Sequence, residues 1–159
     1  MNQVRKDDAI MKENKLSIVR GILCFIPAVI TFAVSYLLVF ILLVLLFELL
    51  FNIPVIGSLL GFFFHKRGDS PEILASIIGA GSAVLSTCSI VIKMSKSTRT
   101  AGLSCLLTGV VVFVIHAISF VLNIVHGEPV FPNIFQAIAG LFLITTGYSN
   151  LTGKASDLI

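Results

Sequence analysis

His116 is the residue of this chain with the clearest claim to chemistry. It lies in GLSCLLTGVVVFVIHAISFVLNIV (102–125), a stretch without a single Asp, Glu, Lys or Arg. An imidazole can titrate near neutral pH, and an ionisable group inside an apolar span is costly enough to count as a functional candidate by default. Ser119 and Asn123 follow at i+3 and i+7, on the same face of a helix, and Gln136 of the next apolar run enters from the same side. His116, Ser119, Asn123 and Gln136 therefore make one candidate intramembrane polar site. Two chemistries fit it. A neutral imidazole hydrogen-bonded between helices is structural glue, whereas a ring facing water between helices would line a proton-sensitive pore. The first needs nothing beyond packing and is preferred.

Cys24, Cys88 and Cys105 each fall near the same end of a different apolar run, so three thiols could share one depth, and thiolates bind soft metals. The plainer reading, cysteine as a small apolar packing residue, is preferred because the chain has no C-x-x-C and no histidine at that depth. A disulfide is disfavoured on the reducing side of a membrane. Glu48 falls about thirty residues after the start of the first span, roughly 45 Å along a helix, which puts it at or past the far interface. Asn150-Leu151-Thr152 matches the glycosylation pattern, but the expected cytoplasmic position excludes modification. Nothing else suggests catalysis: there is no nucleophile triad, phosphate loop, H-E-x-x-H or carboxylate pair. No enzymatic activity, cofactor or metal is expected.

The elements that would position these side chains are apolar helices. The chain has 159 residues, 57% of them hydrophobic and 12% charged, with mean hydropathy +1.05. That composition excludes a soluble globular protein and leaves no room for a soluble catalytic domain. The fold class expected is all-α integral membrane: a four-transmembrane-helix bundle with a short interfacial helix in the first outer loop. Residues 1–16 read as a cytoplasmic leader. From Ser17 to Phe64 only Arg20 and Glu48 are charged, and between Phe32 and Phe51 there is no Gly, Pro or Asn to make a turn. One long helix over 17–50 is expected, with Pro27 a candidate kink. Residues 55–64 are too short to span and too apolar for a free loop, so they read as interfacial or re-entrant. Ser70-Pro71-Glu72 looks like a helix start, with the serine as cap. Further spans are expected at 72–92, 101–125 and 130–148, with His126-Gly127-Glu128-Pro129 as a tight turn and 150–159 as a cytoplasmic tail.

The second span is the one around which the others are expected to pack. In EILASIIGAGSAVLSTCSIVI (72–92), Ala75, Gly79 and Ala83 fall at i, i+4, i+8. Small residues let helix backbones approach closely, which is how helices associate in lipid. Gly109 and Gly140 extend the same packing and assembly role to the third and fourth spans.

Basic residues fix the expected orientation. Alternating from an inside N-terminus, Arg5, Lys6, Lys12, Lys15, Arg20, Lys93, Lys96, Arg99 and Lys154 fall inside, and only Lys66 and Arg67 outside. Both ends are thus expected in the cytoplasm of a bacterial inner-membrane protein. The net charge of +3 reports this topology and implies no nucleic acid.

In size and architecture only, the chain resembles small four-span bacterial proteins: bacteriocin immunity proteins, phage-defence membrane components, holins and accessory subunits. The resemblance covers topology and transfers no site. The function expected is non-enzymatic: a multi-pass protein acting by helix packing as a self-assembling scaffold, sensor or accessory subunit. Its partners would be the lipid bilayer and either a second copy or another membrane or cytoplasmic protein. The alternative is an oligomeric, holin-like channel lined by His116, Asn123 and Gln136.

Overall fold

The computed structural model describes residues 2–67, 71–95 and 97–153, with the side chains of 2–10 and 63–67 left undescribed. They form five helices: α1 (Asn2–Phe51), α2 (Pro54–Arg67), α3 (Pro71–Met94), α4 (Thr98–His126) and α5 (Phe131–Thr152). There is no strand among the described residues. Four of the helices hold segments long and apolar enough to cross a membrane: Met11–Phe51, Pro71–Met94, Thr98–His126 and Phe131–Thr152. The protein is accordingly a multi-pass membrane protein.

α1 runs unbroken through Pro27 and through the stretch that lacks turn-forming residues. Proline there has no N–H to give to the Leu23 carbonyl, a loss that neighbouring helices and waters can make good. At about 1.5 Å per residue α1 is roughly 75 Å long, more than twice the hydrocarbon thickness, so it projects well beyond the other helices. Its last turn closes at Asn52-Ile53, where Pro54 both lacks a donor and disfavours helical backbone before it. Residues 2–16 are the first turns of the same helix and not a separate element.

The other ends are set by capping chemistry. The Ser97 hydroxyl accepts the Thr100 N–H at 3.2 Å and starts α4. Gly127, at φ 70°, ends it: the Gly127 N–H reaches the Ile124 carbonyl at 3.3 Å and the Glu128 N–H reaches Asn123 at 2.9 Å. That left-handed position suits glycine, and the crossed pair of bonds satisfies the last carbonyls. α3 begins at Pro71 with Glu72 in its first turn, while the serine expected to cap it, Ser70, lies outside the described residues.

α3 is the inner helix. Of its apolar window 44% is buried, against 11% for α1. Its small residues meet large ones: Phe32 and Tyr36 of α1 pack with Ala80, Ala83 and Val84, joined by Val112 of α4 and by Ala139 and Leu143 of α5. A second cluster nearer the start of α4 joins Ala28, Val91, Ala101 and Cys105. α4 lies against both α1 and α5, and α3 against both α1 and α5.

Candidate functional site

α4 and α5 approach closely along a seam of four glycines. Gly102 and Gly109 are seven residues apart on α4, and Gly140 and Gly147 seven apart on α5. A methyl placed on Gly147 would stand 2.5 Å from the Leu106 nitrogen and 2.7 Å from the Gly102 oxygen. On Gly109 it would stand 2.6 Å from the Ile144 nitrogen, on Gly140 2.7 Å from the Phe113 nitrogen, and on Gly102 2.9 Å from the Gly147 oxygen. Every one of these obstacles is backbone, which no side-chain rotation clears. The two helices touch main chain to main chain, where dispersion is strongest and only glycine fits.

The small residues of α3 work differently. Ala75 and Ala83 are fully buried, and a methyl on Gly79 would lie 3.2 and 3.3 Å from the ring edge of Tyr36. Gly79 thus makes room for an aromatic side chain of α1, which in turn stacks on Phe40 at 5.8 Å between centroids. Of the residues read as packing points, Gly109 and Gly140 lie in the backbone seam, and Ala75, Gly79 and Ala83 in the face that includes the Tyr36 contact. Gly102, not among the expected packing points, belongs to the seam. The seven-residue interval to Gly109, matched by Gly140 to Gly147, is the signal that would have found it.

The polar residues separate. His116 Nδ1 stands 3.3 Å from Asn133 Oδ1, in the first turn of α5. An amide oxygen only accepts, so the proton of this bond sits on Nδ1. Buried Gln136 also lies against the imidazole. Asn123 points elsewhere and donates to the Pro129 carbonyl at 2.9 Å, bracing the α4–α5 turn. Ser119 is half-buried one turn beyond His116. The structure therefore brings His116 and Gln136 together, adds Asn133, and gives Asn123 to the turn. His116 is ten residues from His126, about 15 Å, so α5 begins well below the end of α4 and its first turn meets the ring.

At the opposite end hydroxyls tie α1 to α4. Ser104 Oγ donates towards the Gly21 carbonyl at 2.8 Å and towards its own Thr100 carbonyl at 3.1 Å, and Ser17 and Thr100 hydroxyls meet at 3.1 Å. Arg99 Nη1 donates to Asn14 Oδ1 at 2.7 Å. Of the thiols, Cys88 of α3 packs against the cluster that holds Cys105 of α4, while Cys24 is buried on α1; all three are free. Among the described residues no group of three or more His, Cys, Asp or Glu side chains is placed to hold a metal ion. The hydroxyls of Ser76 and Thr87, both wholly enclosed, have no hydrogen-bond partner among the described residues.

One concave surface is left open between two helices. Between α3 and α5 runs an apolar groove of about 390 Å³, whose lining includes Ala80, Gly81, Val84, Phe135, Ala139 and Phe142. A methyl on Gly81 would find no atom within 4 Å. No protein family, curated protein or solved structure matches the chain.

Proposed function

We propose that this chain is a non-enzymatic multi-pass protein of the bacterial inner membrane that acts by helix packing, and that the surface it packs with is the α3–α5 groove. The observation that carries the reading is Gly81. Glycine weakens a helix by about 1 kcal/mol relative to alanine, and the four seam glycines have a reason inside the molecule. Gly81 has open space where theirs is filled. A residue that small, exposed in the lining of an apolar groove that also includes Phe135 and Phe142, suits a helix that arrives from outside. The occupant proposed is a helix of a second copy, which makes the protein a self-assembling scaffold, sensor or accessory subunit of the size seen in immunity-type and phage-defence membrane components. In this reading both ends of the chain are cytoplasmic, and α2, with Val55, Leu59 and Phe62 exposed, lies in the outer interface.

The test compares the mass of the detergent-solubilised protein with the 17.1 kDa of one chain. Wild type should exceed one chain, and Gly81→Leu should be monomeric at unchanged melting temperature. A monomeric wild type, or a variant that still assembles, refutes the groove as the contact. A second reading, an oligomeric channel, draws on a polar set made of His116, hydrogen-bonded to Asn133, and the buried Gln136. Ion flux in liposomes that falls with His116→Gln would establish it, and absence of flux would dispose of it.

A further inference from the structure

A second concave surface lies at the end of the molecule where α1 and α4 are tied together, and its chemistry is of another kind. A pocket of about 320 Å³ is lined by Asn14, Ser17 and Ile18 of α1, Arg99 and Leu103 of α4, and Leu151 of α5. α4 lies between α1 and α5 at this level, so it forms the floor of a cleft whose walls are the other two helices. The pocket is stratified. Ile18, Leu103 and Leu151 are apolar and continue into the spans, whereas Asn14, Ser17 and Arg99 form a polar edge where α4 begins. The Arg99 guanidinium is held across the cleft mouth by its 2.7 Å bond to Asn14 Oδ1, which occupies one of its five N–H groups.

We propose that this cleft is a binding site for an anionic phospholipid, with an acyl chain on Ile18, Leu103 and Leu151 and the phosphate on Arg99. Two features favour that occupant. An apolar lining edged by polar groups at the end of a span matches the division of a phospholipid into chain and headgroup. Charge supplies the preference for an anion: Lys12, Lys15, Arg20, Lys93 and Arg99 are all exposed at this end, against Glu13 as the acid among the described side chains. A planar guanidinium meets a phosphate with two parallel bonds, and basic pockets between spans are a recurrent way of holding anionic headgroups. The α4 N-terminus does not itself hold the anion, since the Thr100 N–H is already taken by Ser97. The site needs neither the second copy nor the α3–α5 groove.

The experiment uses the full chain in neutral detergent, titrated with dioleoylphosphatidylglycerol or dioleoylphosphatidylcholine and read by native mass spectrometry and by melting temperature. Inorganic phosphate and glycerol 1-phosphate serve as soluble anions. Wild type should bind phosphatidylglycerol more tightly than phosphatidylcholine and gain stability from it, with the soluble anions competing poorly. Arg99→Gln should weaken phosphatidylglycerol binding about fivefold or more, the effect of one basic side chain near a lipid surface, and weaken phosphatidylcholine, whose phosphate is offset by its choline, less. Arg99→Lys should recover most of the loss, and Lys93→Gln, outside the pocket, should change binding less than twofold. Equal losses for Arg99→Gln and Lys93→Gln would mean diffuse surface charge and overturn the site. Competition by phosphate at the lipid's own concentration would make it a soluble-anion site, and equal binding of the two lipids would overturn the preference for an anionic one. Should Arg99→Gln fold poorly, Leu151→Ser in the floor gives an independent reading: it should weaken phosphatidylglycerol binding, and no change would refute the assignment.

Discussion

Gly147→Ala adds one methyl group and should unseat α5 from α4. The new carbon would lie 2.5 Å from the Leu106 nitrogen and 2.7 Å from the Gly102 oxygen. Heavy atoms settle at about 3.5 Å or more, so the helices must part by about 0.8 to 1 Å at this turn. A gap of that size removes about a quarter to a half of the attraction of each atom pair, itself about 0.1–0.2 kcal/mol. If roughly 40 pairs meet across the adjoining turns, a number comparable to the contacts of one buried leucine, the loss is about 1–4 kcal/mol. Alanine returns up to about 1 kcal/mol of helix propensity, which leaves a net cost of about 0–4 kcal/mol. Gly81→Ala is the matched control. With nothing within 4 Å in its own chain it keeps the propensity gain, so at a detergent dilution where the protein is a single chain it should be neutral or stabilised by up to about 1 kcal/mol. Thermal unfolding in detergent, followed by reaction of the buried thiols Cys24 and Cys105 with a fluorogenic maleimide, reads both variants on one scale. Gly102→Ala with Gly147→Ala should cost less than the sum of the two, because the first separation already makes room for the second methyl. If Gly147→Ala melts at or above Gly81→Ala, backbone contact does not hold this seam and the argument fails.

Further expectations concern the polar groups. His116→Ala and Asn133→Ala should each lose about 0.6 kcal/mol, the mean for a hydrogen bond between helices in a membrane, and a double-mutant cycle should return a coupling of similar size; zero coupling would mean that the 3.3 Å contact is not a bond. Ser104→Ala should lose stability by up to about 1.7 kcal/mol, since its hydroxyl bridges to the Gly21 carbonyl from a fully buried position, and an unchanged melting temperature would refute that bridge. Thr87→Val and Ser76→Ala should be neutral or stabilising by up to about 1 kcal/mol, because each removes an enclosed hydroxyl without a partner; a loss above about 1 kcal/mol would show that the hydroxyl is bonded after all. Mild oxidation of solubilised protein should join Cys88 to Cys105 and spare Cys24, and peptide mapping that finds Cys24 crosslinked would contradict this placement of the thiols.

Local chemistry was enough to find the helices, and partners decided how their faces are used. A helix in lipid must satisfy its own backbone hydrogen bonds, so length of apolar run and the positions of Gly, Pro and Asn determine where helices stand almost without reference to neighbours. The stretch from Phe32 to Phe51, free of turn-formers, is helical throughout, and the turn at Gly127 follows from the one residue there that takes a left-handed backbone at no cost. The same property of membranes makes the faces hard to read. Lipid is as apolar as leucine, so burial leaves no alternation of apolar and polar residues to mark the inside, and a glycine is equally compatible with a backbone seam, an aromatic ring or open groove. Gly109, Gly79 and Gly81 look alike in sequence and meet a helix backbone, the edge of Tyr36 and nothing at all. Likewise Asn123 and Asn133 were both within reach of a histidine along the chain. α5 begins about 15 Å below the end of α4, and that offset between two helices, which no single helix contains, gives the imidazole to Asn133 and the other amide to the turn.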